Sequence, residues 1–136
     1  MNILFFLLPK DKIYFVYEQF TLRQVLEKMD SCGFAALPIL NNRGEYIDTI
    51  TEGDILRDIK RHQNLSLKDS EKINLKEIEI KRSVKSIKIY ANVEDLLEVS
   101  LDQNFVPIVD DMNRFIGIIT RRSIISYFYE KINEGK

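Results

Sequence analysis

Residues 46–59, YIDTITEGDILRDI, begin as an apolar strand pattern, pass through Thr51-Glu52-Gly53-Asp54, and resume with helix-spaced Ile55, Leu56 and Ile59. A strand that runs straight into a helix start leaves first-turn N–H groups without intrahelical partners, an arrangement suited to an anion. The same design returns in residues 115–127, FIGIITRRSIISY. In both copies a proline stands thirteen residues before the threonine: Pro38 before Thr51, and Pro107 before Thr120. Two copies at one spacing constrain the fold far more than either alone, and the rest of the chain is read against them.

In the first copy, residues 13–16 read as a short strand rich in aromatic and β-branched residues. Thr21-Leu22-Arg23-Gln24 has the form of a capping box, followed by an apolar helical face at Leu22, Val25, Leu26 and Met29 and a closing Gly33. Residues 34–40 form a buried strand, 41–44 a turn, and 46–50 the returning strand of a hairpin. The helix from about Glu52 ends in Arg57, Lys60, Arg61 and His62, cations suited to a helix C-terminus. In the second copy, residues 84–89 are the short strand and Asn92 caps a helix with the face Val93, Leu96, Leu97 and Ser100. Residues 105–109 are the central strand, 110–113 the turn, and 115–119 the returning strand. The last helix carries Ile124, Ile125, Phe128 and Ile132. With Tyr127 and Tyr129 this apolar surface expects either a partner helix or cover from the chain's own N-terminal segment.

The boundaries follow: a docking segment over 1–9, a first repeat over 10–62, a connector over 63–80, and a second repeat over 81–136. The opening run, Ile3 to Leu8, lacks a basic leader and a small-residue cleavage site, so it reads as a segment docked on the body or on a second subunit. A membrane-surface anchor is the other reading. The connector has turn or cap residues at Asn64, Ser66 and Asp69-Ser70. Its Leu65, Leu67, Ile73, Leu75 and Ile78 are expected to pin it down.

Composition narrows the function. A chain of 136 residues with 45% hydrophobic and 30% charged content can bury a real core. Twenty Lys and Arg balance 21 Asp and Glu, which argues against a general nucleic-acid binder. The single Cys32 fits a reducing cytoplasm and the role of a small buried apolar residue. No apolar run approaches the roughly 20 residues of a membrane span. The lone His62 lies in a basic helix end, and no P-loop, paired cysteine or metal-ligand spacing appears. The expectation is a protein without catalysis, cofactor or metal.

Strand, helix, proline-bearing strand, turn, strand, threonine, helix, repeated once across a connector, resembles a tandem pair of CBS domains, a Bateman module. IDTITEGDIL and IGIITRRSII are the most specific parts of the likeness. The resemblance implies an α+β fold of two pseudo-symmetric β-α-β-β-α repeats packed through their sheets, with two clefts that commonly hold adenosine-containing ligands. It also implies pairing into a disc-like homodimer through the helices that follow the threonines.

At the first helix start, Thr51 can offer a hydroxyl to phosphate or ribose, and Asp54 can accept both hydroxyls of a ribose diol. The competing reading is a capping arrangement that satisfies only the helix's own N–H groups. At the second start Ser123 replaces Asp54, and Arg121-Arg122 occupy the first turn. Cations there oppose the helix dipole at a cost of roughly 0.3–1 kcal/mol each. A local rule broken at an expected cleft points to function, here bidentate capture of phosphate. A solvated pair, or one bridging to Asp110 or Asp111, is the bland account. The Thr-Arg-Arg form resembles small stand-alone members that bind cyclic di-AMP.

The resemblance places Thr120, Arg121 and Arg122 across a cleft from Lys12, Tyr14, Phe34, Ala35 and Ala36, with Phe34 against a purine or else in the core. A second cleft would join Thr51 and Asp54 to Lys85, Asn104 and Phe105. There Asp48 stands where the other copy has Gly117, and its side chain is expected to crowd the site. Two readings result: a regulatory module that senses an adenine nucleotide, cyclic di-AMP foremost, with AMP, ADP or ATP possible, and signals to a protein partner; or a ligand-independent homodimeric interaction module.

Overall fold

The computed structural model describes residues 1–62 and 66–135. The turn expected at Asn64 and the pinning residue Leu65 lie outside them. Along the chain run β1 (Leu8–Pro9), β2 (Val16–Tyr17), α1 (Leu22–Cys32), β3 (Ala36–Leu40), β4 (Tyr46–Thr51), α2 (Glu52–Arg61), β5 (Ile87–Lys88), α3 (Val93–Ser100), β6 (Phe105–Val109), β7 (Phe115–Thr120) and α4 (Arg121–Glu134). This is the expected α+β class. The chain divides into two compact units, Tyr14–Ser83 and a second made of Met1–Ile13 with Val84–Lys136.

Each unit is built from the same local instructions. In the first, β3 runs parallel to β2 and antiparallel to β4, with Ala36 opposite Thr51 and Pro38 opposite Thr49. In the second, β6 runs parallel to β5 and antiparallel to β7, with Phe105 opposite Thr120 and Pro107 opposite Ile118. The proline–threonine spacing is thus the register of one hairpin, used twice. β2 pairs with β3 only at Ile39 and Leu40, so Pro38, which has no N–H to give, lies beyond the end of that ladder. The early strands differ from the expected bounds: Val16–Tyr17 pairs in place of the expected 13–16, a shift as well as a shortening, and Ile87–Lys88 pairs within the expected 84–89. The hairpin turns also match. Asn41 Oδ1 accepts from the N–H groups of Arg43 and Glu45, and Asp110 Oδ1 accepts from those of Met112 and Arg114. Gly44 takes φ 79°, and Asn113, one of the few side chains that tolerate that region, takes φ 65°.

The helix caps follow the sequence. Thr21 Oγ1 accepts from Gln24 N at 3.2 Å, and Gln24 Oε1 accepts from Thr21 N at 2.8 Å. Gly33, at φ 75°, closes α1 in a left-handed turn that a side chain would strain. Asn92 and Asp95 form the corresponding box on α3. Leu22, Val25 and Met29 sink into the first core with Leu37, Ile39 and Ile50, and Cys32 packs at its edge.

The N-terminal run turns out to be a repeat of the connector. Asn2 Oδ1 accepts from Leu4 N and caps a 3-10 turn, Ile3–Phe6. Asn74 Oδ1 accepts from Lys76 N and caps another, Leu75–Glu77. Ile3 and Phe6 are buried in the second core with Leu96, Val106, Ile108, Ile119 and Ile124. Leu75 and Ile78 are buried in the first. Of the other pinning residues, Ile73 packs against that core, while Leu67 is exposed.

β1 then adds to the edge of β7, giving the sheet order β1-β7-β6-β5. Pro9 lies opposite Gly117, where an added Cβ would stand 2.3 Å from the Leu8 carbonyl oxygen. Only glycine admits a backbone that close. At the equivalent position of the first unit, Asp48 Oδ2 accepts from Ser83 Oγ at 2.8 Å, and among the described residues no strand is added to β4. The Asp48–Gly117 difference therefore sorts how each unit holds the segment laid beside it.

Candidate functional site

At the first helix start the acid is already occupied. Asp54 is only 2% exposed. Its Oδ2 accepts from the backbone N and the hydroxyl of Thr51, at 3.1 and 2.9 Å. Its Oδ1 accepts from Arg57 Nη2 at 2.5 Å and from Lys81 N at 3.4 Å. Thr51 Oγ1 meanwhile accepts from Asp54 N at 3.1 Å. Thr51 therefore both gives its proton and receives one within this network, the full capping arrangement. Arg57, which sequence reasoning placed only among the C-terminal cations, is the partner that neutralises the buried carboxylate.

The second start is built differently. Thr120 Oγ1 accepts from Ser123 N at 3.1 Å, and Ser123 Oγ turns back to donate to Thr120 O at 2.8 Å. Among the described residues nothing takes the Thr120 hydroxyl proton, so it can point outward. The two arginines separate. Arg121 donates from Nε to Ser100 O at 2.8 Å and from Nη2 to Leu101 O at 3.3 Å, satisfying carbonyls at the end of α3. Arg122 is exposed and has no ion-pair partner among the described residues. Asp110 is held by Arg114 instead. Burial raises the Asp110 carboxyl's pKa, but hydrogen bonds from Arg114 and Met112, with the Arg114 charge, bring it below the ordinary value. A cavity of about 460 Å³, lined by Asn104, Thr120, Arg121, Arg122, Ile125 and Tyr129 among others, opens at this helix start. Arg121 N donates to Asn104 O at 2.8 Å, so the sheet fixes the first turn. Lys12 is exposed in a 3-10 turn, Lys10–Lys12, that packs on β7 in the same unit.

The residues expected across the cleft from them, Tyr14, Phe34, Ala35 and Ala36, lie in the first unit. Phe34 is 53% exposed and Tyr14 48%, so Phe34 is not core. Their rings sit 5.8 Å apart at 44°, and Lys28 Nζ stands 5.4 Å from the Tyr14 ring. Ala35 O accepts from Glu52 N at 2.9 Å, and Ala36 begins β3. In the second unit Gln103 occupies the place of Phe34. It ties down Lys85, accepting from its N–H at 2.7 Å and donating to its carbonyl at 3.0 Å. Phe105 is half-buried at the start of β6. The units thus present unlike faces: an aromatic pair with a lysine on one, an amide clamp on the other. Gln103 and Lys28 were not singled out from sequence, because neither belongs to the threonine motif.

Among the described residues no cluster of three or more His, Cys, Asp and Glu is arranged to hold a metal, and no helix is long and apolar enough to cross a membrane. His62 is exposed, its Nε2 3.6 Å from Asp58 Oδ1.

A doubled unit of this topology, with a capped threonine at each strand-to-helix junction, is the architecture of a CBS-domain pair. The CBS domain model matches residues 7–61 and 75–130, and the chain belongs to that family. The uncharacterized protein MJ1225 of Methanocaldococcus jannaschii is 28% identical over 92% of this chain. The chain spans 49% of that relative's length. Among solved structures, CbpB in complex with c-di-AMP superposes with a TM-score of 0.86 at 22% identity, over 98% of this chain and 88% of that one. Listeria monocytogenes CbpB, also in complex with c-di-AMP, gives 0.78 at 21% identity, over 93% and 94%. CbpB from Streptococcus agalactiae gives 0.80 at 23%, over 95% and 80%. At these identities the likeness establishes the fold.

Proposed function

We propose that this chain is a cytoplasmic regulatory module that binds an adenine nucleotide at the start of α4 and signals occupancy to a protein partner. Binding, not catalysis, is its role. The observation that carries the reading is the asymmetry of the two helix starts. One is closed by its own buried carboxylate, whereas the other combines a Thr120 hydroxyl with no acceptor and an Arg122 with no ion-pair partner among the described residues, in the unit that also carries Lys12. An anion prefers the second. In the first unit, taken by itself, the exposed Tyr14–Phe34 pair beside Ala35 and Ala36 is the surface we assign to purine stacking. The c-di-AMP complexes of CbpB support cyclic di-AMP as the leading candidate.

Titration calorimetry with cyclic di-AMP, AMP, ADP and ATP tests the proposal. Charge-assisted hydrogen bonds are worth about 1.5–3 kcal/mol, so Arg122→Ala is expected to weaken binding roughly ten- to a hundredfold. Added salt should weaken it further. Saturating heats from none of the four ligands would leave the ligand-independent interaction module as the correct reading.

A further inference from the structure

Two cavities flank the start of α4, and both lie within the second unit. Beside the one that holds Asn104 and Arg121 lies another of about 510 Å³, and Thr120, Arg122 and Ser126 line both. Among the described residues, this other cavity is lined by α4 and its cap on one side and by Phe5 and Phe6 on the other. Phe6 is buried in the second core, whereas Phe5 is 69% exposed and keeps its place through ring contacts with Phe6 and Tyr127, each at 5.3 Å. A group seated against Thr120 and Arg122 therefore adjoins the Ile3–Phe6 turn. The first unit shows what an anion at such a helix start does for the segment laid beside it. Asp54 caps α2 and also accepts from the N–H of Lys81, in the connector whose Leu75 and Ile78 are buried in that core. The second unit has Ser123 where the first has Asp54, and the Ser123 hydroxyl turns back to Thr120 O. The carboxylate that joins helix start to segment is absent there. The N-terminal segment is held by the burial of Ile3 and Phe6 and by the two-residue pairing of β1 with β7.

We infer that an anion bound at Thr120 and Arg122 supplies the missing tie, so that the segment from Ile3 to Pro9 docks more tightly when the site is occupied. This rests on the nucleotide reading of the α4 start and adds the part of the chain through which occupancy is expressed. In the first unit the tie is permanent, because its anion is a side chain; in the second it comes and goes with the ligand. A ligand that meets the segment only in its docked state shifts the docking equilibrium by its differential affinity for the two states. Docking shifts the affinity for the ligand by the same factor.

Hydrogen exchange on the full chain, with and without cyclic di-AMP, reads the docking directly. The amides of Phe5 and Leu7 donate to Asn2 O and Leu4 O, so their exchange reports opening of the turn. If the ligand binds the docked state alone, exchange at both slows by one plus the ratio of ligand concentration to Kd, about a hundredfold at 100 times Kd. Gly117→Ala tests the reciprocal effect, because Gly117 lines neither cavity while a Cβ there collides with the Leu8 carbonyl. With the α3 amides still protected, the variant should bind more weakly by the factor by which the docked fraction falls. Calorimetric saturation with cyclic di-AMP and unchanged exchange at Phe5 and Leu7 overturns the coupling and leaves the nucleotide site standing. Full affinity in a Gly117→Ala chain whose turn amides exchange freely does the same. Absence of heats from cyclic di-AMP, AMP, ADP and ATP alike removes the nucleotide reading and the coupling with it.

Discussion

Arg121 and Arg122 are adjacent in sequence but differ in their partners, and the difference is one of reach. Arg121 folds back over the end of α3, where helix carbonyls lack intrahelical partners; Arg122 projects from the same turn with no ion-pair partner among the described residues. Arg121→Ala is therefore expected to lower thermal stability by about 1–2 kcal/mol through unpaired carbonyls, whereas Arg122→Ala should leave the melting temperature nearly unchanged. Asp54 is the residue-scale counterpart in the first unit. Its carboxylate caps α2, pairs with Arg57 and receives the connector's Lys81 N–H, so Asp54→Ala removes a capping box and leaves buried donors behind. Loss of such a cap costs about 1 kcal/mol, and an unsatisfied buried donor 1–3 kcal/mol more. Calorimetric unfolding should show about 2–4 kcal/mol of destabilisation, with nucleotide affinity intact. An unchanged melting temperature with lost affinity would return Asp54 to the ribose.

Elements hold their ends with side chains, and two of those ends titrate. Asp69 is held below the ordinary carboxylate value by hydrogen bonds from the Ser66 backbone and hydroxyl. Asp110, in the β6–β7 turn, is held below it by Arg114 and Met112, against burial. A carboxylate with a depressed folded pKa adds stability that is fully present above its unfolded value, 3.8 for each. That stability is lost as pH falls through the folded value. Unfolding midpoints should thus be flat with respect to these groups above about pH 5 and fall below pH 4, and Asp110→Asn should flatten part of the decline.

Elements were also the most legible level of the sequence. The capping boxes, the hairpin turns and the proline–threonine register all follow from local rules that act within a few residues. The face of α4 was legible only as apolar: the helical spacing of Ile124, Ile125, Phe128 and Ile132 expects a partner helix or cover from the N-terminal segment, and of these four Ile124 is buried. Phe5 and Phe6 cover Tyr127 with ring contacts at 5.3 and 5.4 Å and leave the rest of the stripe bare. Periodicity shows that a face is apolar, not what covers it.

At the scale of the molecule, the sequence showed two repeats but not where each is completed. The opening run reads as a generic docking segment because its likeness to residues 74–78 lies in one asparagine and two buried apolar residues. The choice between arginines was equally hidden, since it depends on α3 ending beside Arg121, a contact between residues distant in sequence. Motif spacing proposes the candidate site; the different partners of its two arginines come from tertiary structure.

The docking of β1 on Gly117 carries a consequence for the order of events during synthesis. The Tyr14–Ser83 unit is continuous, so all its contacts exist once Ser83 has emerged. The other unit needs residues from both ends of the chain. Ile3 and Phe6 must wait, with apolar side chains unsatisfied, until Ile119 and Ile124 have been made. Closing so long a loop is slow, and surface left open in the meantime is prone to aggregation. The continuous unit is expected to acquire amide protection first in pulsed hydrogen exchange during refolding, with β7 and the Ile3–Phe6 turn protected together and last. Simultaneous protection of both units would show that the early-made segment finds its place without that delay.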